Sequence, residues 1–342
     1  MTMPSKIGDP SRPLPESINA ATRPLHTKLN KLVVSRLPLA LPPQADDASQ
    51  YVSGLLHIAP IYITFESLWR AILELPEAHH PGKDDITDTT GESARVQSHG
   101  RSNVHNRPIL DARIEALLTN LYFEGLQRSQ ALQQDLVSLT CWSDLTLSEQ
   151  LSNASKSPVL SDFLSHIEKS VGKSPHVLLA YAWVLYMALF SGGRFIRASL
   201  ETIYPAFWIP ASAQQPTPGA LAGSAAGAAQ PLDFFRFGTP EDGEDLKREF
   251  KKRILESESY LTTPERDEVI EESRRIFEYM IQLVGELVDI CGTNKEAAEA
   301  RLLSLRSRDS LVVQRERKQQ LAEATRRATA AERTRNWVEK AI

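Results

Sequence analysis

The stretch that most restricts how this chain can fold is 176–200, HVLLAYAWVLYMALFSGGRFIRASL. From Val177 to Phe190 it carries fourteen consecutive residues without a charge or an amide side chain. A helix that is apolar on every side has to be enclosed by other parts of the protein. A bilayer span needs about 20 such residues, so the stretch reads as a buried core helix. Ser191-Gly192-Gly193 then interrupts it before Phe195, Ile196 and Leu200 resume the apolar pattern. Each glycine costs roughly 1 kcal/mol in a helix interior relative to alanine. Without a Cβ it permits a kink, or close approach of the backbone to something flat or bulky. A helix crossing, or a simple break between two helices, accounts for the residues equally well.

The partners that could enclose such a helix are themselves helical. From Tyr51, the apolar residues Leu55, Ile58, Tyr62, Phe65 and Leu68–Trp69 recur three or four apart, the spacing of one helix face. Leu110–Leu136 has the same spacing through Ile114, Leu117, Leu121, Leu126 and Leu132. A third helix is punctuated at both ends. Thr263 is the expected cap, Pro264 suits the first turn, Glu265 and Asp267 favour the positive end of the dipole, and Gly292 offers a left-handed stop. Alternating Val, Ile and Thr runs between hairpin turns are missing, so the fold class is all-α.

The 342 residues suit one large domain or two modest ones. Residues 1–13 are expected to be disordered and 14–292 to form the helical domain, with flexible insertions at 79–108 and 211–230. The first insertion is polar, and the second is low-complexity Ala/Gly/Ser/Pro. Residues 293–342 read as a charged helical tail; from Lys295 onward it holds twelve basic and seven acidic residues. A solvated helix is the ordinary outcome of such a pattern, and weak contact with an acidic membrane surface is the other.

The net charge of −4 argues against nucleic-acid binding by a basic surface. Two cysteines, Cys141 and Cys291, fall short of a disulfide framework or a Cys-rich zinc site and suit a reducing compartment. With no apolar segment near the N-terminus and no hydrophobic C-terminal anchor, a soluble cytoplasmic protein is expected. Phosphate-loop, His-Glu-x-x-His and Gly-x-Ser-x-Gly patterns are absent.

His26, in ATRPLHTKLN, is a lone histidine on a short amphipathic stretch. A single imidazole is enough to hold a haem iron, although most lone histidines are ordinary side chains. Beside it stand HIAPIYITFESLWR, LQRSQALQQDL, HVLLAYAWVLYMALFSGGRFI, PLDFFRF, LKREFKKRI and TPERDEVIEESRRIFEYMIQLVGEL. In this order the segments resemble the eukaryotic-type haem oxygenases, over most of 16–292; the two insertions and the tail lie outside the resemblance.

The resemblance implies a multi-helical bundle with a haem slot between a proximal and a distal helix. It implies His26 as the iron ligand and Ser191, Gly192 and Gly193 as the distal wall, with Trp183 where the family has a haem-contacting tyrosine. Lys247 and Lys251 fall at basic positions that hold the haem propionates. It also implies O2-dependent ring opening of haem to biliverdin, CO and Fe2+, with electrons from an NADPH-dependent flavoprotein reductase.

Several positions depart from the family pattern. Ala188 and Leu189 replace a Gly-Asp pair whose aspartate orients proton-delivering water, and leucine cannot hydrogen-bond water. Asn19 replaces a basic residue, Asn30 an acidic one, and Lys251 an arginine. Pro24 is expected to delay or kink the proximal helix. Leu189 therefore opens other readings: a haem-binding carrier, sensor or weak peroxidase without efficient ring opening, or a helical interaction protein without the pocket.

Overall fold

The apolar stretch lies at the centre of the fold. The computed structural model describes residues 12–74, 111–210 and 230–291. Pro175–Glu201 forms a continuous helix of 27 residues, and 78% of its most apolar window is buried against neighbouring helices. It is long and apolar enough to cross a membrane, but here it is the core helix. Around it stand α1 (Leu14–Arg36), α2 (Ser49–Leu73), α3 (Ala112–Leu121), α4 (Ser129–Thr140), α5 (Asp144–Ala154) and α6 (Pro158–Lys173). Two α segments of the central helix itself are α7 (Leu178–Tyr181) and α8 (Arg194–Glu201), and α9 (Glu244–Ser257) and α10 (Thr263–Ile290) complete the set. Helix α1 packs along α10, α2 packs on α4, α5 and α6, and α10 also lies against α6 and α7. No strand occurs among the described residues.

Four local expectations are corrected. The cap of α10 is Thr262, not Thr263; its Oγ1 accepts from the Glu265 N–H while the Glu265 carboxylate accepts from the Thr262 N–H at 2.7 Å. The reciprocal pairing needs a glutamate three residues after the cap, which fixes the cap one position earlier. Arg113 grips the same carboxylate with two bonds of 2.8 Å and holds it down to about 2. Pro24 does not delay α1. The helix runs through it because both Pro24 and Ala20, whose carbonyl loses its partner, face solvent.

The segment 110–136 is two helices, separated by a turn in which Gly125 has φ +85°. The expected interruption at Ser191-Gly192-Gly193 is no break either. Ala182–Tyr186 and Leu189–Gly193 are π turns, so the helix widens twice and continues. Such wide turns concentrate at functional sites. Gly292, the insertion 79–108, nearly all of 211–230 and the tail lie outside the described residues. Gln230, the last residue of the second insertion, donates to the carbonyls of Glu201 and Ile203.

Two buried carboxylates hold the layers together. Glu66 of α2 accepts from the Arg128 and Ser129 N–H groups, capping α4 from a distance, and from Tyr186 Oη of the central helix at 3.0 Å. Asp135 of α4 accepts from the N–H groups of Asp233 and Phe234, both at 2.9 Å. This fixes the 233–235 turn whose phenylalanines pack toward the central helix. Burial pushes the Asp135 carboxyl up to about 6, against the pull of those two N–H groups. The native state therefore binds a proton at Asp135 more readily than the unfolded chain does. Its contribution to stability falls as pH rises from about 4 through about 6.

Chemical denaturation checks the arrangement. Asp135→Ala should lower stability by about 2–4 kcal/mol by orphaning two buried donors. It should also remove part of the decline in wild-type stability between about pH 4 and pH 6. An unchanged pH slope would mean that Asp135 is not the titrating group.

Candidate functional site: a slot between the first and central helices

Asn19, His26 and Val33 are spaced by seven residues along α1, so they share one face at intervals of about 10 Å. One end of that face meets the central helix and the other a cavity. At one end Asn19 Oδ1 accepts a hydrogen bond from Trp183 Nε1 at 3.3 Å. At the other, Val33 lines a cavity whose wall also includes Leu189 and Gly193. His26 lies midway between Asn19 and Val33 along that face. Its imidazole is exposed and stands edge-on to Phe277 of α10, with centroids 5.8 Å apart.

In the central helix, the two glycines of Ser191–Gly193 differ in their surroundings. Gly193 is buried; a Cβ there would come within 3.3 Å of Leu189 Cδ2 and 3.4 Å of Phe235 Cδ1. Gly192 is exposed, and a Cβ there would meet nothing within 4 Å. Ser191 beside it is also exposed. Ala188 and Phe195, one turn to either side, are exposed as well, so one face of the helix opens to solvent there.

Trp183 is buried and stacks on Phe250 of α9, with ring planes 24° apart. Lys247 and Lys251 flank Phe250 on the same helix. Lys247 is half-buried and pairs with Glu244 at 3.3 Å, whereas Lys251 is exposed. The structure thus gathers Asn19, Trp183 and the lysine-bearing helix at one edge.

Beyond the slot lies a cavity of about 320 Å3, bounded by α1, α2, the central helix and α10. Leu55, Ile58, Leu185, Leu189, Met280 and Val284 make most of its wall apolar. His26, Trp183, Ser191, Gly192, Lys247 and Lys251 do not line it; Gly193 and Leu189 do. Leu189 is 5% exposed. The nearby Tyr62 hydroxyl is committed to the Leu185 carbonyl at 3.1 Å, so it supplies no spare donor in place of the missing aspartate. Val33, Phe250 and Phe277 were not singled out as site residues in the sequence. The seven-residue spacing from His26 signals Val33, but Phe277 looks like any other residue of the α10 stripe.

These features define an all-helical protein with an exposed imidazole on α1 and an exposed glycine on its central helix. A sequence model of the family described as Heme oxygenase matches residues 107–286, and the chain belongs to that family. The matched region contains Trp183, Leu189, Gly192, Gly193, Lys247 and Lys251; His26 lies before it. A relative named Heme-binding protein HMX1, from Saccharomyces cerevisiae, is 28% identical over 196 residues, 54% of this chain. The match spans 58% of that relative's length. The fold matches heme oxygenase 2 from Chlamydomonas reinhardtii, solved without heme, at a TM-score of 0.55 and 19% identity, covering 80% of this chain and 97% of that one. It matches Synechocystis heme oxygenase-2 in complex with heme and NO at 0.54 and 14% identity, covering 84% and 91%.

The contrast between the glycines is open to thermal unfolding. Gly192→Ala should gain about 0.5–1 kcal/mol from helix propensity alone. Gly193→Ala should show no such gain, because its methyl crowds Leu189 and Phe235. Equal gains at both positions would remove the distinction drawn here.

Proposed function

We propose that this protein binds haem in the slot between α1 and the central helix, with His26 as the iron ligand. The observation that carries the reading is the face of α1 on which exposed His26 stands between Asn19, bonded to Trp183 of the central helix, and Val33, in the wall of a cavity that Leu189 and Gly193 also line. The residues fit the group: an exposed imidazole, bare backbone at Gly192 where a flat ring can lie, and lysines at one edge for carboxylates. The name of the yeast relative and the family membership support the same ligand. Bound haem would supply an iron that takes O2 and a ring carbon that is oxidised when the macrocycle opens.

The chain's own residues then divide the work. His26 holds the iron, and the edge-on ring of Phe277 restricts how the imidazole turns. Gly192 and Ser191 leave room for the ring plane. Lys251 is an exposed cation for one propionate. Lys247 would have to share itself with Glu244, and Asn19 and Trp183 contribute neutral donors only. Leu189, Leu185 and Met280 keep the adjoining wall of the central helix and α10 apolar, so no side chain at position 189 holds or relays a proton. We infer that haem is held and that ring opening is slow, which suits a carrier, a sensor or a weak peroxidase.

Family membership favours a second reading, a working haem oxygenase that uses O2 and electrons from an NADPH-dependent flavoprotein reductase. Optical titration with hemin and turnover with such a reductase separate the two. Wild-type protein should give the Soret band of an imidazole-ligated haem. His26→Ala should weaken binding by more than about tenfold, 1.4 kcal/mol, with free imidazole restoring the spectrum.

Under reducing conditions the wild-type Soret band should persist, and Leu189→Asp should raise biliverdin formation by at least about tenfold, the low side of what a placed proton donor supplies. Rapid turnover by the wild type would favour the oxygenase. Absence of any ligand-type Soret shift would leave only a helical interaction protein.

A further inference from the structure

A second cavity lies across α2 from the slot. Leu55, Ile58 and Tyr62 of α2 line the first cavity, whereas Pro60, Ile63 and Thr64, on the reverse side of the same helix, line the second. Its other walls come from α4, α5 and α6, and its volume is about 400 Å3. None of its lining residues belongs to α1, the central helix, α9 or α10.

The α5 wall is unusual for a helix packed on its neighbours. Asp144, Ser148, Ser152 and Ser155 recur three or four apart beside Leu147 and Leu151. The face turned to the cavity is therefore half polar, where an apolar stripe is the norm. Among the described residues, the side chains of Thr64, Asp144, Ser148 and Ser152 make no hydrogen bond or ion pair. Gln133 commits its amide nitrogen to the Ser129 carbonyl, and Ser155 gives its proton to the Leu151 carbonyl. Both are left with lone pairs to offer. Among the described residues, no lysine, arginine or histidine lines the cavity. A carboxylate and a row of acceptors with no cation beside them suit a ligand that brings donors and positive charge.

We propose that this cavity binds an arylalkylamine, a protonated amine joined by a short chain to a flat apolar body. An ammonium has three donors and no acceptor, and it would lie at the Asp144 end of α5, beside Ser148. From Asp144 to Ser155 the helix rises about 16 Å, so the aryl body would run along Ile63, Leu147 and Leu151 toward Ser155. The volume lies within the range of small-molecule sites. The site stands whether or not haem binds at His26.

Isothermal titration of the full-length protein with 4-phenylbutylamine, 4-phenylbutanol and 4-phenylbutyrate tests the proposal, because the three probes share a body and differ in the charge of the head. The amine should bind with a negative heat-capacity change, the alcohol at least about threefold more weakly, and the carboxylate not measurably. Asp144 is exposed, which keeps the expected effect of its charge to several-fold. Asp144→Asn should weaken the amine at least about threefold and leave the alcohol unchanged. Ser148→Lys puts an ammonium one turn from Asp144, a spacing at which opposite charges pair on a helix. It should abolish amine binding while keeping the melting temperature. Equal affinity for amine and alcohol, amine binding indifferent to Asp144→Asn, or amine binding that survives Ser148→Lys would each overturn the proposal. So would the absence of saturable binding by the amine.

Discussion

A helix that is apolar on every side can be approached by a ligand only where its neighbours stand off. That constraint organises this protein. The apolar part of Pro175–Glu201 is largely wrapped by the surrounding helices, and its exposed positions Ala188, Ser191, Gly192 and Phe195 fall on one face, where Gly192 carries no side-chain bulk. The π turn over Leu189–Gly193 belongs to the same solution. A wider turn shifts the helix surface outward without ending the hydrogen-bond ladder, so Gly192 is left exposed while Gly193 stays packed on Phe235.

Enclosure alone does not set the register of such a helix, because leucine and valine packing changes little on a small rotation. Polar anchors do. Tyr186 donates to Glu66 on α2, and Tyr181 donates to Glu272 on α10. Burial pushes the Glu272 carboxyl up, but hydrogen bonds from His166, Tyr181 and Ser170 outweigh it and keep the carboxyl below its usual range. The two tyrosines bracket Trp183, so the residue that meets Asn19 is held between two fixed points. Losing either tyrosine would take one donor from a buried carboxylate, leaving Glu66 with the Arg128 and Ser129 N–H groups and Glu272 with His166 and Ser170.

Most of the helices could be read in the sequence because their apolar spacing is local. The anchors could not, since Glu66 and Tyr186 lie 120 residues apart and nothing in either segment marks them as partners. The same limit explains the missed turn at 122–128. Helical spacing continues across it, and only Gly125 with its positive φ, together with the remote cap from Glu66, ends one helix and starts the next. In the site, Gly192 and Gly193 were visible as a pair but not as two roles, because packing decides which one faces open space. His26 drew attention through its motif; its position midway along a contact face is a fact of three dimensions.

The apolarity behind the slot is a property of a neighbourhood rather than of one substitution. Leu185, Ile58 and Met280 surround Leu189 in the cavity wall, so a carboxyl placed there would be buried with none of the backbone N–H partners that Asp135 enjoys. Asp135, with two such partners, is already pushed up to about 6. The same desolvation would push a carboxyl at position 189 up from its ordinary range. Its protonated form is the state in which buried carboxylic acids serve as general acids. The leucine therefore removes more than a charge: it removes a group whose surroundings would have tuned it to give up a proton.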